Sequence, residues 1–118
     1  MPERPRFIDH GGKLILYLDL ANASPGQHAE GIREAERTIL GTPLPAVLLL
    51  VDVTGATVNH DTDDLVEGFV KRTRERIRAR AVVGATGLKR RTFDRPSLPS
   101  EHALFEDLED ARNWLAER

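Results

Sequence analysis

The 118-residue chain contains no cysteine. Disulfides, thiolate metal sites, dithiol redox chemistry and a cysteine nucleophile are therefore excluded. Aromatic residues are scarce: four Phe, Tyr17 and Trp114. Stacking platforms for single-stranded nucleic acid need exposed rings, and these few read as core residues. The serines, Ser24, Ser97 and Ser100, all stand beside prolines in cap or loop contexts, and no nucleophile elbow surrounds any of them. Long apolar runs are missing too. The longest, Ala46–Val51, falls far short of the roughly 20 residues that span a bilayer. Met1-Pro-Glu-Arg-Pro-Arg6 is not followed by an apolar stretch, so it does not read as a secretory signal.

What is present suffices for one core. Hydrophobic residues make up 40% of the chain and charged residues 31%, which argues against disorder. A single domain over residues 1–118 is expected, with residues 1–5 as a loose lead-in, because single domains run to about 100–150 residues. A cytoplasmic setting is expected from the absence of cysteine and of a signal. The net charge of −2 conceals an uneven distribution. Residues 71–91 hold nine basic side chains and one acidic one, Glu75, so a basic pole on an acidic body is expected.

Arg6–Asp9 and Leu14–Leu20 flank His10-Gly11-Gly12 and predict an opening hairpin, the second strand apolar on both faces. Ser24-Pro25 is a helix start, with Ser24 as N-cap and Pro25 in the first turn. Ala29, Ile32, Ala35 and Ile39 follow as its apolar stripe, and Gly41-Thr-Pro43 ends it. Ala46–Val53 is the strongest buried-strand signal. A second helix is expected from about Asp61 to Arg78, with Leu65, Val66, Phe69, Val70 and Ile77 inward, then a buried strand over Ala79–Ala85. A short helix within Gly87–Asp94, a strand at His102–Phe105 and a closing helix capped by Asp107 complete the chain. This alternation argues for a mainly parallel or mixed sheet covered by helices.

Four segments occur in order: Gly12-Lys-Leu-Ile-Leu-Tyr-Leu-Asp19, Leu49-Leu-Val-Asp-Val-Thr-Gly55, Ala81-Val-Val-Gly-Ala-Thr-Gly-Leu-Lys89 and Phe105-Glu-Asp-Leu-Glu-Asp-Ala-Arg-Asn-Trp-Leu115. The series resembles the SpoIIAA-like branch of the STAS-like domains, bacterial proteins related in fold to anti-sigma-factor antagonists. The resemblance covers roughly Phe7 to Leu115. It implies an α/β domain with a mixed four- to five-stranded sheet and helices packed mainly on one side. It also implies work by binding, with a regulatory kinase-like protein as the partner of classical members and a Ser or Thr at the start of the second helix as their switch. Similarity to CRAL-TRIO carriers implies an alternative, an apolar small molecule or lipid held near Gly87–Arg95 and Trp114. Here the switch motif is not intact: Thr54-Gly-Ala-Thr-Val-Asn-His-Asp-Thr-Asp-Asp64 lacks Asp-Ser-(Ser/Thr)-Gly. Thr57 and Thr62 are the hydroxyls nearest the phosphoacceptor position. Three carboxylates flank Thr62, and a phosphate dianion there would be repelled.

The candidate binding surface combines Thr54, Thr57, Asn59, His60 and Thr62 after the central strand with Gly84, Thr86, Gly87 and Lys89 after the next one. Adjacent parallel strands bring their C-terminal loops together. Asn59 and the acidic residues behind it also serve simply to start a helix. Gly84–Lys89 lacks the spacing of either a phosphate loop or a dinucleotide site. No second histidine lies at ligand spacing from His60, so no metal is expected, and no cofactor motif occurs. His10, His28 and His102 read as isolated surface or edge residues. Asp19 and Asp52 close buried strands, where Asp commonly accepts turn N–H groups. An enzyme is not expected, nor is a nucleic-acid partner for an acidic body without a groove-reading motif. Lys71–Arg80 is the segment that could touch an anionic membrane. Homodimerisation through the hairpin edge or a helix face is left open.

Overall fold

Strand β3 (Val47–Asp52) is buried at every position and sits at the centre of the sheet. The computed structural model describes residues 5–87, 90 and 101–118. Its five strands lie in sequence order: β1 (Arg6–His10), β2 (Lys13–Asp19), β3, β4 (Ile77–Val83) and β5 (His102–Phe105). β1 and β2 form the antiparallel hairpin, while β2, β3, β4 and β5 run parallel. The turn depends on two left-handed glycines, Gly11 and Gly12, with φ of 60° and 80°.

Helix α1 (Pro25–Gly41) and helix α2 (His60–Thr73) cover one face, and α3 (Leu108–Ala116) covers the other. Alternation along the strands divides the core. Leu16, Leu18, Leu49, Val51 and Val82 meet Ile32, Ala35, Ile39, Val66, Phe69 and Val70 on the first face. Ile15, Leu48, Leu50, Ala79, Ala81 and Val83 meet Ala111 and Leu115 on the second. Small residues at 79, 81 and 111, all fully buried, let α3 lie close to the sheet. Trp114 closes its edge, 5.6 Å from the Phe105 ring, with the Arg118 guanidinium 4.5 Å above the indole. No described helix is long and apolar enough to cross a membrane.

Four expectations change. Helix α2 ends at Thr73, not Arg78, because Ile77 pairs with Val47 and a 3-10 turn over Arg74–Arg76 leads into that strand; the Thr73 hydroxyl donates to the Phe69 carbonyl at 2.7 Å. Ile77 thus begins β4 and packs inward from the sheet. Secondly, the basic window is divided. β4 carries the chain about 20 Å from one end of the sheet to the other, so Lys71–Arg78 and Arg90 lie at opposite ends. Much of the first group is committed: Lys71 to Glu67 at 3.2 Å, Arg72 to Glu36 at 2.8 Å, and Arg76 to the Thr42 and Leu44 carbonyls.

Thirdly, Arg80 is 2% exposed and belongs to the core. Its place two residues before Val82 aims it under α1 and α2, where its Nε donates to His102 Nδ1 at 3.3 Å. Burial pushes the guanidinium down to about 9, so it keeps its charge at neutral pH. Lastly, His28 is fully buried rather than at the surface. It stands four residues before Ile32, on the same helical face. Together with Leu18, Leu20, Ile32, Val51, Val66, Phe69 and Arg80 it lines an apolar cavity of about 20 Å³.

Burial pushes the His28 imidazole from 6.5 down to about 4. The folded protein therefore holds it neutral while the unfolded chain protonates it below pH 6.5. Its contribution is complete above pH 6.5 and is lost as pH falls toward 4. The expected loss is about 2 kcal/mol by pH 5. Urea unfolding at pH 7.5 and pH 5 should show this drop in wild type but not in His28→Leu, the difference between the two slopes isolating the histidine from the carboxylates.

Candidate functional site

The C-terminal ends of the parallel strands lead into three loops that remain hydrogen-bonded to one another. The Leu20 N–H donates to the Asp52 carbonyl at 2.8 Å, and the Asn22 N–H to the Thr54 carbonyl at 2.8 Å. Val53 N–H reaches the Val83 carbonyl at 2.9 Å, and Gly84 N–H the Phe105 carbonyl at 3.0 Å. Asp19 and Asp52 close their strands by accepting from the N–H groups of Ala21 and Thr54, at 3.0 and 2.9 Å. Their carboxylates hold turns.

Left-handed positions allow the close approach. Gly84 has φ of 81°, and a Cβ there would come within 2.7 Å of Thr54 Cα. Gly55, at φ 71°, lies against the Asn22 side chain, and Asn22 is itself left-handed at φ 60°. Thr57 is exposed and its N–H donates to the Ala23 carbonyl at 2.9 Å. Thr54, Asn59, His60, Thr86 and Gly87 are exposed, and Gly84 is half-buried. The turn after β4 therefore does lie against the loop after β3. Lys89 and most of the expected helix within Gly87–Asp94 lie outside the described residues.

Both helices on this face begin at the same rim, and both begin with reciprocal caps. Ser24 Oγ accepts from the Gln27 N–H at 3.3 Å while Gln27 Oε1 accepts from the Ser24 N–H at 3.0 Å. Asn59 Oδ1 accepts from the Thr62 N–H at 3.0 Å while Thr62 Oγ1 accepts from the Asn59 N–H at 3.2 Å. The Thr62 hydroxyl also donates to Asn59 Oδ1 at 3.1 Å, and the residue is 1% exposed. Of the two hydroxyls singled out in the sequence, Thr57 is the one that faces solvent.

Between these helix starts lies a groove of about 460 Å³. Gly26 and Ala29 give α1 a low wall, with Arg33 one turn further on. Asn59, Asp61, Asp64 and Leu65 form the α2 side. Asn59 and Thr62 are thus both at the groove, whereas its α1 wall is not among the residues expected from the sequence. Ser24-Pro25 does mark the start of that helix, and a capped helix leaving a parallel strand starts at the same rim as its neighbour. No group of three or more His, Asp or Glu arranged to hold a metal occurs among the described residues.

No family model matches the chain, and no curated protein matches it. Among solved structures it is similar to an uncharacterized DUF3478-family protein with a SpoIIAA-like fold from Shewanella loihica. That match has a TM-score of 0.68 and 16% identity over 98% of this chain and 95% of the other. The chain has the SpoIIAA-like fold. An anti-sigma-factor antagonist (STAS) domain protein from Planctomyces limnophilus is also similar, with a TM-score of 0.65 and 11% identity, covering 97% and 99% of the two chains. At such identities the SpoIIAA-like likeness concerns the backbone path, and each site residue stands on its own surroundings.

The space expected near Gly87–Arg95 and Trp114 lies mostly outside the described residues. Ala85 packs on the α1/α2 face and Trp114 on the α3 face. The rim of this SpoIIAA-like domain should depend on Gly84 far more than on Gly87, whose added Cβ would meet nothing within 4 Å among the described residues. Gly84→Ala is expected to lower stability by about 3 kcal/mol and Gly87→Ala by about 1 kcal/mol. Chemical denaturation of both variants in parallel checks the ordering.

Proposed function

We propose that this SpoIIAA-like domain is a non-enzymatic regulatory module that binds a partner protein in the groove between the first turns of α1 and α2. The observation that carries the reading is the groove itself: about 460 Å³, walled on one side by Gly26 and Ala29, on a rim cross-bonded before any partner arrives. Such preorganisation reduces the ordering cost of binding. The fold shared with an anti-sigma-factor antagonist domain protein supports a regulatory role of this kind. Thr57, whose N–H bonds the Ala23 carbonyl just before α1, and His60, between Asn59 and Asp61, are exposed next to the groove's lining. The described apolar cavity holds about 20 Å³, room for one water and not for a lipid, so the carrier reading draws no support from it.

A photo-crosslinking residue placed at Asp64 should give a discrete adduct in living cells. The same residue at Asn113, exposed on α3, should not. Filling the groove with Gly26→Trp, where an added Cβ meets no described atom within 4 Å, should remove the adduct while leaving the unfolding free energy within about 1 kcal/mol of wild type. Equal labelling from both positions, or none from Asp64, would end this reading. An adduct of twice the chain's own mass would identify a second copy as the occupant.

A further inference from the structure

The two ends of the α1/α2 layer carry opposite and matching surfaces. Both helices start at the rim and end at the other pole, so the groove lies at one end and the last turn of α1 and the exit of α2 at the other. At the groove end, Asp61 and Asp64 are exposed and form no ion pair with any described residue, with Arg33 beside them. At the far end, Arg74 and Arg78 are exposed and equally without an ion pair, with Glu75 beside them. Two anions and a cation thus face two cations and an anion. Arg78 stands near the start of β4, where the ladder shifts, pairing Val47 with Ile77 and Leu48 with Ala79 and leaving Arg78 without a partner in the register.

An apolar feature matches as well. Leu40, in the last turn of α1, is 47% exposed at the basic end. The groove at the opposite end has Gly26 and Ala29 as its wall, leaving space of the kind a leucine side chain fills. End-to-end stacking also sets the negative ends of two helix dipoles against the positive ends of two others.

We propose that the groove receives the basic end of a second copy of this chain, head to tail, with Leu40 seated against Gly26 and Ala29 and with Arg74 and Arg78 meeting Asp61 and Asp64. The contact is heterologous: it uses different surfaces on the two copies and does not close on itself, so assemblies grow by addition. It is small and weak, with a dissociation constant in the ~0.1–1 mM range. Concentration in the cell, or competition from another protein for the same groove, sets how much of it forms. The contact shares the groove of the partner reading above but is tested apart from it, since it needs only this chain.

Sedimentation velocity of the purified chain tests it. The weight-average mass should exceed the monomer's and keep rising with concentration through ~1 mM at about 0.02 M NaCl. It should return to the monomer's at about 1 M NaCl, where screening falls to about 3 Å. Asp61→Arg/Asp64→Arg and Arg74→Asp/Arg78→Asp should each be monomeric alone. Mixed in equal amounts they should associate again, because the altered groove of one variant complements the altered far end of the other, and their two unaltered ends still match. Leu40→Asp should remain monomeric with an unchanged melting temperature. A wild-type chain that stays monomeric at low salt, a closed dimer of fixed mass, or a mixture that does not associate would each overturn the proposal.

Discussion

Parallel pairing that continues past the ends of the strands is the constraint on which the rest of the molecule depends. The ladder through β2, β3 and β4 runs on into Leu20, Asn22, Val53 and Gly84, each donating to the neighbouring chain beyond its own strand. A single such bond contributes about 1 kcal/mol net. Their larger effect is geometric, because an N–H and a carbonyl on successive loops set where each loop leaves the sheet. The left-handed residues Asn22, Gly55 and Gly84 follow from that requirement, since only such positions let three loops approach this closely.

From the aligned loops come the aligned helices. Ser24 and Asn59 cap α1 and α2 on one rim, and right-handed crossovers return both chains along the same face. Farther along, the helices are joined by the Arg72–Glu36 ion pair at 2.8 Å. Near the caps, Gly26 and Ala29 present too little side chain to fill the space against Asp61 and Leu65. The groove is thus a product of small residues placed where the fold brings two helix starts together. A leucine pair there would have sealed the layer.

Most of this frame was legible in the chain. Alternation in Leu14–Leu20, the unbroken run at Ala46–Val53, and the Ser24-Pro25 and Asp107 caps each report local backbone physics that the tertiary structure leaves intact. The order of elements, with its resemblance to a known domain, supplied the sheet. The misplaced features had competing local readings. Arg74–Ile77 continues a helical pattern as well as it begins a strand, and only pairing of Ile77 with Val47 decides between them. His28 was read by residue type, although its spacing to Ile32, Ala35 and Ile39 already placed it on the buried stripe. Arg80 shows the converse limit, since a charged residue in the core depends on what the rest of the fold offers it, and sequence does not display that. Asn59 and Thr62 were found at the site because caps are local. Gly26 and Ala29 were not, because a gap between two helices exists only after both are in place.

The charges on α2 serve helix and surface together. Asp61 and Asp63 near its start and Lys71 and Arg72 near its end are the arrangement that the helix dipole favours. That same ordering contributes to an acidic rim and a basic far pole, to which Arg74 and Arg78 add from beyond the helix. Selection for a binding partner need not have placed these residues. The features that helix chemistry does not require are different ones: Gly26 within the first turn of α1, where glycine weakens a helix, and Leu40 left 47% exposed in its last turn. Both lie in the α1/α2 layer, one at each end, and neither improves the fold that surrounds it. The case for function in this domain rests on such residues, which local stability would have chosen otherwise.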